Sequence, residues 1–242
     1  MISKRGEGKK ASASVRQTSA ESSPEEMAAF FERRLDGYEE HQLLAIQGAQ
    51  EFYPFTAKLL PAAAGAEVLD LGCGTGLELR YYYAVNAAAR LTCIDLSQKM
   101  LDVLQKKYAA FSPRTVCGNY FAMDLGRDRY DAAVSVESMH HFTYEEKVFL
   151  YRKIFFALRK GGRFVLTDYL EKDPAAERVG QEAKERTIRQ YGIADGRLYH
   201  IDAPLTAEHE MQALTEAGFE RVEEVGRWQN TSILVAYRGC EG

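Results

Sequence analysis

The sequence VLDLGCGTG, residues 68–76, decides the fold, because it joins an apolar strand pattern to three glycines and a helical pattern follows it. Glycine permits positive φ and lets a ligand approach the backbone where a Cβ would otherwise stand. The start of the following helix adds unpaired N–H donors and a partial positive charge. The segment therefore predicts a strand–loop–helix unit whose loop binds a ligand.

The glycine spacing argues against a phosphate-binding loop. A dinucleotide fingerprint needs Gly or Ala three residues after its second glycine, and this chain has Leu77 there. The Gly-Lys-Ser/Thr of a P-loop is also absent, and Asp70 would repel phosphate. N–H donors beside a carboxylate suit a ligand that carries both a carboxylate and an amine.

A second acidic residue, Asp95, ends the next apolar run, residues 90–95. A carboxylate at the tip of the second strand of such a unit is placed to accept hydrogen bonds from a ribose diol. An amino acid and a ribose in one ligand indicate S-adenosylmethionine (SAM).

The rest of the chain alternates short apolar runs with helical patterns. We expect strands at 67–71, 90–95, 114–118, 132–136, 163–168, 221–227 and 231–237. Helices are expected at 77–85, 97–111, 205–217 and from a capping box at Thr143 to the Gly161-Gly162 pair. Such alternation predicts a doubly wound α/β sheet, mostly parallel, with helices on both faces. The short link at 228–230 permits only a hairpin, so the last strand pair is expected to be antiparallel.

The remaining segments suggest a tail and one domain. Residues 1–22 are rich in Ser, Lys, Ala and Gly and are expected to be a disordered tail. Residues 23–242 are expected to form a single domain. Its N-terminal helical extension, 23–64, would hold a helix at 24–36, opened by a capping box at Ser23, and another at 40–60. Residues 170–203 follow a strand and precede its expected helix, so we interpret them as an inserted substrate cap.

Composition restricts the partners and the compartment. The net charge is −4; residues 1–20 carry five basic and one acidic residue, hence +4, which leaves −8 for the rest. This balance disfavours a nucleic-acid binder. The chain has four cysteines and no CxxC pair, so we expect neither a disulfide framework nor a metal site. It shows no signal-peptide core and no apolar run of the roughly 18 residues that span a bilayer, so we expect a cytoplasmic protein without a membrane partner.

Taken together, these motifs resemble the class I SAM-dependent methyltransferase family. The resemblance rests on the glycine segment, Cys93-Ile94-Asp95, Gly118-Asn119-Tyr120 and Tyr130-Asp131, and it covers about residues 65–238. It implies the strand order 3-2-1-4-5-7-6, in agreement with the expected antiparallel edge. It also implies SAM as the cofactor and S-adenosylhomocysteine as its product.

The resemblance also assigns cofactor-binding residues. Those expected around the methionine part are Asp70, Gly72, Cys73 and Gly74. Asp95 would hold the ribose and Leu96 would pack on the adenine, with Asn119 and Tyr120 beside it. Asn119 stands where the family often has Asp. Tyr38 would cover SAM, although simple helix packing explains it equally well. Glu137 opens the segment that should face the methyl group.

Three side chains are candidate catalytic groups. His141, next to His140, could deprotonate an acceptor or only bond to the backbone. Asp168 ends the fifth strand and could act as a base, bind a cationic group, or serve as a cap or ion-pair partner. His200 would share a face with Asp202, as an oriented imidazole or as a structural tie. Aligning the reactants can lower the reaction barrier by roughly 7–11 kcal/mol, whereas a general base raises the rate by about 10²–10⁴-fold. Positioning is the larger effect, so methyl transfer does not require an obvious base.

The sequence therefore predicts a methyltransferase that moves a methyl group from SAM to a small-molecule acceptor by in-line displacement. Two alternatives stay open. An RNA or protein methyltransferase would use the basic tail for docking, and a non-catalytic SAM-binding regulatory subunit would have a plugged pocket. The sequence names neither the acceptor nor the oligomeric state.

Overall fold

The strands form one sheet at the centre of the fold. The computed structural model describes residues 23–194 and 196–240. Its strands are β1 (Glu67–Leu71), β2 (Arg90–Asp95), β3 (Arg114–Cys117), β4 (Tyr130–Val136), β5 (Leu158–Tyr169), β6 (Arg221–Trp228) and β7 (Thr231–Tyr237). Within the described residues, these strands form a seven-stranded sheet of order β3-β2-β1-β4-β5-β7-β6. β7 pairs antiparallel with β5 and β6, and the other pairs are parallel. The predicted strand order and antiparallel edge are confirmed.

Helices cover both faces of this sheet. They are α1 (Met27–Arg33), α2 (Tyr38–Ala45), α3 (Ala49–Lys58), α4 (Leu79–Val85), α5 (Gln98–Lys107), α6 (Tyr144–Ala157), α7 (Pro174–Tyr191) and α8 (Ala207–Ala217). Alternate residues of a strand face opposite sides, so Leu69 packs with α6 and α8 while Val68 packs with α3, α4 and α5. Two apolar cores result, and the doubly wound architecture is confirmed.

The N-terminal helices begin and end at other residues than predicted. The prediction of a capping box at Ser23 is wrong. Helix α1 begins at Met27, and the side chain of its N-cap residue, Glu26, makes no capping hydrogen bond. Glu26 instead forms a β-bridge with Tyr199, which holds the preceding backbone in an extended conformation. The single helix predicted at 40–60 is two helices, because Gly48 adopts φ +82° between them. A Cβ at Gly48 would overlap the Trp228 side chain, so this break is where the tryptophan packs.

The helix that begins at the predicted Thr143 cap ends earlier than expected. Its capping box is confirmed: Thr143 Oγ1 accepts from the Glu146 N–H, and the Glu146 carboxylate accepts from the Thr143 N–H at 2.8 Å. However, α6 ends at Ala157, and the Gly161-Gly162 pair lies inside β5. The Gly161 N–H donates to the Arg238 carbonyl at 2.8 Å, so this pair extends the sheet.

The segment interpreted as a cap joins the N-terminal segment. The backbone N–H of Met27 donates to Leu198 O at 2.9 Å, and that of His200 donates to Glu25 O at 3.0 Å. We call α1 together with residues 198–200 the lid. Residues 1–22, the predicted tail, lie outside the described residues, and the division into a tail and one domain stays a prediction. Among the described helices, none combines the length and the apolar character that crossing a bilayer requires.

Candidate functional site

A cleft opens where β1, β2 and β4 end beneath the lid. The predicted cofactor residues that line it are Tyr38, Gly72, Gly74, Asp95, Leu96, Tyr120 and Glu137. The sequence did not predict the lining by Met27, Ala28, Phe31, Met100 and Ser138. Three of these five, Met27, Ala28 and Phe31, belong to the lid, which only the folded chain brings to the site.

The glycines of the loop have different reasons to be glycine. Gly72, Gly74 and Gly76 all adopt positive φ, between +50° and +72°. A Cβ at Gly72 would overlap the Ser138 side chain, and one at Gly76 would lie 3.0–3.1 Å from Leu104 and Tyr108. At Gly74 the nearest atom is the Tyr38 hydroxyl, 3.6 Å away. Gly74 is therefore the glycine that leaves room for a ligand, while the other two permit packing.

Asp95 fastens the glycine loop to the second strand. Its Oδ2 accepts from the Gly74 N–H at 2.9 Å, and its Oδ1 accepts from the Ser97 N–H at 2.8 Å. Burial raises the pKa of Asp95, and these two N–H groups partly offset that rise. A carboxylate oxygen can accept a second hydrogen bond. Asp95 can therefore hold the loop and still accept from a diol in the cleft.

Behind the loop, Asp70 and Glu78 form a pair of neighbouring buried carboxyl groups. Burial raises the pKa of both groups, and the neighbouring Glu78 raises that of Asp70 further. Among the described residues, Asp70 Oδ2 and Glu78 Oε1 have no hydrogen-bond partner. Cys73 is also buried and lies beside Cys93. Neither Asp70 nor Cys73 lines the cleft, but the unpartnered oxygens are the type of group that an ammonium would satisfy.

The two residues predicted beside the adenine differ in their contacts. Asn119 Oδ1 accepts from the Phe121 N–H at 2.9 Å, so it shapes the turn and does not line the cleft. Tyr120 lines the cleft, with its hydroxyl 3.4 Å from Ser138 Oγ. Lys153 donates to the carbonyls of Tyr120, Phe121 and Met123 at 2.6–2.7 Å and so fixes this turn. The local sequence pattern does not indicate that role, since an exposed helix face also carries lysines.

Two polar residues from distant parts of the chain, Tyr38 and Glu137, line the cleft. Burial raises the pKa of the Tyr38 hydroxyl, which therefore stays protonated and able to donate. Glu137 adopts φ +51°, a conformation that costs a non-glycine residue of order 1–3 kcal/mol. Burial, followed by the charge of Asp168, raises the pKa of Glu137 to about 7, and Thr231 Oγ1 donates to its carboxylate at 3.0 Å. Strain of this kind is typical of functional sites.

Of the three predicted catalytic groups, only His141 lines the cleft. Asp168 lies behind it: Oδ1 is 2.6 Å from His140 Nδ1 and accepts from the Tyr169 N–H, while Oδ2 accepts from the Met139 N–H at 2.7 Å. Burial opposes protonation of His140, but Asp168 outweighs it and raises the pKa of His140 to about 9. The contacts of Asp168 are thus those of a group that orients His140.

His141 and His200 lie on either side of Asp202. His141 Nδ1 is 3.0 Å from Asp202 Oδ1, and burial together with the charge of His140 lowers the pKa of His141 to about 4. His200 Nε2 is 4.0 Å from the same oxygen, and its ring stacks on Phe30 with centroids 3.5 Å apart. The predicted pairing of His200 with Asp202 is therefore only part of a larger group, which His140 and His141 join from the end of β4.

Comparisons with known proteins agree with this geometry. Residues 68–162 match a family described as a methyltransferase domain. The 27-O-demethylrifamycin SV methyltransferase of Amycolatopsis mediterranei is 31% identical over 193 residues, which are 77% of this chain and 66% of that protein. The carboxy-S-adenosyl-L-methionine synthase of Campylobacter curvus is 27% identical over 190 residues, 75% of this chain and 80% of that protein.

A solved SAM-dependent methyltransferase from Mesorhizobium loti shares the fold. The two are 21% identical, the TM-score is 0.57, and the match covers 76% of this chain and 96% of the other. The strand order, the family match and the sequence relatives agree with one another. The chain therefore belongs to the class I family of SAM-dependent methyltransferases.

Proposed function

We propose that this protein binds SAM in the cleft and transfers its methyl group to a small-molecule acceptor by in-line displacement, releasing S-adenosylhomocysteine. The observation that carries the proposal is the pairing of Gly74 with Asp95, which leaves open backbone and a carboxylate side by side in the cleft. Membership of the family implies SAM, and the residues of this chain fit it.

The fit has a positive and a negative side. Asp95 would bind the ribose diol, and Leu96 and Tyr120 would contact the adenine. The ammonium of the methionine part would approach the unpartnered oxygens of Asp70 and Glu78. This buried acidic pair also opposes a phosphate ligand, which would be anionic. When bound, SAM supplies a methyl group on a sulfonium, which an acceptor atom attacks directly.

The lid supports a small acceptor. Met27, Ala28 and Phe31 line the cleft, and backbone hydrogen bonds tie α1 to residues 198–200. A cleft closed in this way suits a compact molecule better than an RNA or protein surface. Positioning of the acceptor within the cleft can then supply most of the acceleration.

We propose that His141 contacts the acceptor. It is the predicted catalytic residue that lines the cleft, and its lowered pKa keeps the imidazole neutral at pH 7. Asp168 and His200 are positioning residues in this proposal, since Asp168 orients His140 and His200 packs in the lid. The cytoplasmic location stays a prediction.

The test is transfer of label from [methyl-³H]SAM. The purified chain is incubated with an extract of the cells that express it, separated by ultrafiltration into a small-molecule and a macromolecular fraction. We expect label in the small-molecule fraction, and its loss in Gly74→Val. Label only in protein or RNA would support the macromolecular alternative. Tight SAM binding without transfer to either fraction would support the regulatory subunit.

A further inference from the structure

We propose that His140, His141 and Asp202 form a binding site for a divalent transition-metal ion beside the cleft. One ligand atom from each residue lies within 4.8 Å of the others. The two histidines follow β4, and Asp202 follows the lid residues 198–200, so folding brings together segments about 60 residues apart. The sequence predicted no metal site, because it has no cysteine pair of the kind that marks structural zinc.

The distances fit an ion shared by these side chains. Asp202 Oδ1 lies 3.0 Å from His141 Nδ1 and 3.9 Å from His140 Nε2. Ligand atoms about 2.0–2.2 Å from a tetrahedral zinc ion stand roughly 3.3–3.6 Å apart. The two separations from Asp202 Oδ1 bracket that value, and the two histidine nitrogens lie within 4.8 Å of each other. His200 Nε2 lies 4.0 Å from the same Asp202 oxygen and borders the group.

The nitrogen of His141 that faces Asp202 has no other assigned role. His141 is 3% exposed, and among the described residues its Nδ1 has no hydrogen-bond partner. Although Asp202 Oδ1 is 3.0 Å away, the two atoms are not aligned for a hydrogen bond. A buried polar atom without a partner calls for an explanation, and a bound ion is one of the recognised ones.

A carboxylate orients the second histidine for ligation. His140 Nδ1 lies 2.6 Å from Asp168 Oδ1, which leaves Nε2 for an ion. The Met139 and Tyr169 N–H groups hold Asp168 at 2.7 and 2.8 Å. Metal-binding histidines almost always donate their other ring N–H to such a partner. A second cluster of possible metal ligands consists of Glu137, His140 and Asp168. It fits a metal ion less well, because both Asp168 oxygens already accept hydrogen bonds.

The donor set points to the class of ion. Two imidazoles and one carboxylate suit Zn²⁺, Fe²⁺, Co²⁺ or Ni²⁺, whereas Mg²⁺ and Ca²⁺ prefer oxygen ligands alone. The Asp202 side chain is 56% exposed, which gives the ion a path from solvent. Three protein ligands leave a coordination position open, as in catalytic zinc sites. The use of this open position rests on the proposed methyl transfer. If that function holds, an oxygen or sulfur atom of the acceptor would take the position.

The experiment titrates the full chain, stripped with a chelator, with zinc chloride by calorimetry and with cobalt(II) by visible absorption. We expect one ion to bind per chain, and we expect the visible absorption of bound cobalt(II) to be that of an ion with a low coordination number. Asp202→Asn, at a largely exposed side chain, should weaken zinc binding by more than about 100-fold, beyond the loss expected from an outer partner. His41→Ala removes an exposed imidazole elsewhere and should leave zinc binding unchanged.

Zinc uptake that survives Asp202→Asn, or that falls equally in His41→Ala, would overturn the site, as would no uptake by the stripped parent chain. Binding of S-adenosylhomocysteine is measured on the same samples. A protein that binds S-adenosylhomocysteine but takes up no zinc would refute only the metal site. A protein that takes up zinc but does not bind S-adenosylhomocysteine would refute only the proposed function.

Discussion

Replacing Asp95 by alanine tests the cofactor end of the cleft. The substitution removes the carboxylate that would accept hydrogen bonds from the ribose diol. It also removes the acceptor of the Gly74 and Ser97 N–H groups, at 2.9 and 2.8 Å. Both losses act in the same direction, because the glycine loop is then no longer fastened against β2.

The expected magnitude follows from the charge of the acceptor. A hydrogen bond to a charged group contributes roughly 1.5–3 kcal/mol. Loss of this term corresponds to a Kd for S-adenosylhomocysteine that rises about 10- to 150-fold. The fold should lose stability as well, since an unsatisfied buried N–H costs about 1–3 kcal/mol.

Calorimetric titration with S-adenosylhomocysteine measures the affinity, and urea unfolding measures the stability. Asp124→Ala is a matched control, because Asp124 Oδ1 also accepts from a loop glycine, Gly126 N–H at 2.8 Å, but on an exposed turn. We expect unchanged affinity in this control. Unchanged affinity in a folded Asp95→Ala protein would refute the reasoning that Asp95 binds the nucleoside.

Three further predictions follow from the buried groups. Gly74→Val should abolish S-adenosylhomocysteine binding and cost roughly 1–3 kcal/mol of stability, because a branched side chain would occupy the cleft at φ +50°; normal binding in calorimetry would contradict it. Glu210→Ala should lower the free energy of unfolding in urea by roughly 3–5 kcal/mol, because it leaves Lys147 buried without its partner; a change below 1 kcal/mol would contradict it. SAM binding should release protons in the pH range where Asp70 and Glu78 titrate, because burial raises the pKa of both groups and a bound ammonium would lower it. The binding heat should then depend on the ionisation enthalpy of the buffer, and Glu78→Gln should reduce that dependence; equal dependence in both proteins would refute it.

The fold was predictable from the sequence because its signals are local. Apolar runs alternate with helical patterns, and only Gln229 and Asn230 separate β6 from β7, which fixes the antiparallel edge. The breaks that were missed depend on distant partners. Gly48 breaks a helix where Trp228 packs, and Gly161 continues a strand because Arg238 accepts its N–H. Neither partner is visible in the local pattern.

The candidate site divides in the same way. Gly74 and Asp95 were predictable, since Gly74 lies in the loop after β1 and Asp95 ends β2, and both positions follow from the alternation. The lid was not, because its β-bridge joins Glu26 to Tyr199 across most of the chain. The grouping of His140, His141 and Asp202 depends on that same long-range pairing, so the sequence could suggest His200 with Asp202 but not the larger group.

The most direct test is calorimetric titration of the purified chain with SAM and, in separate titrations, with NAD and ATP, the ligands that a phosphate-binding glycine loop would take. Saturable binding of one SAM per chain, with no binding of NAD or ATP, is the predicted result. Tight binding of NAD or ATP without any heat from SAM would contradict the account.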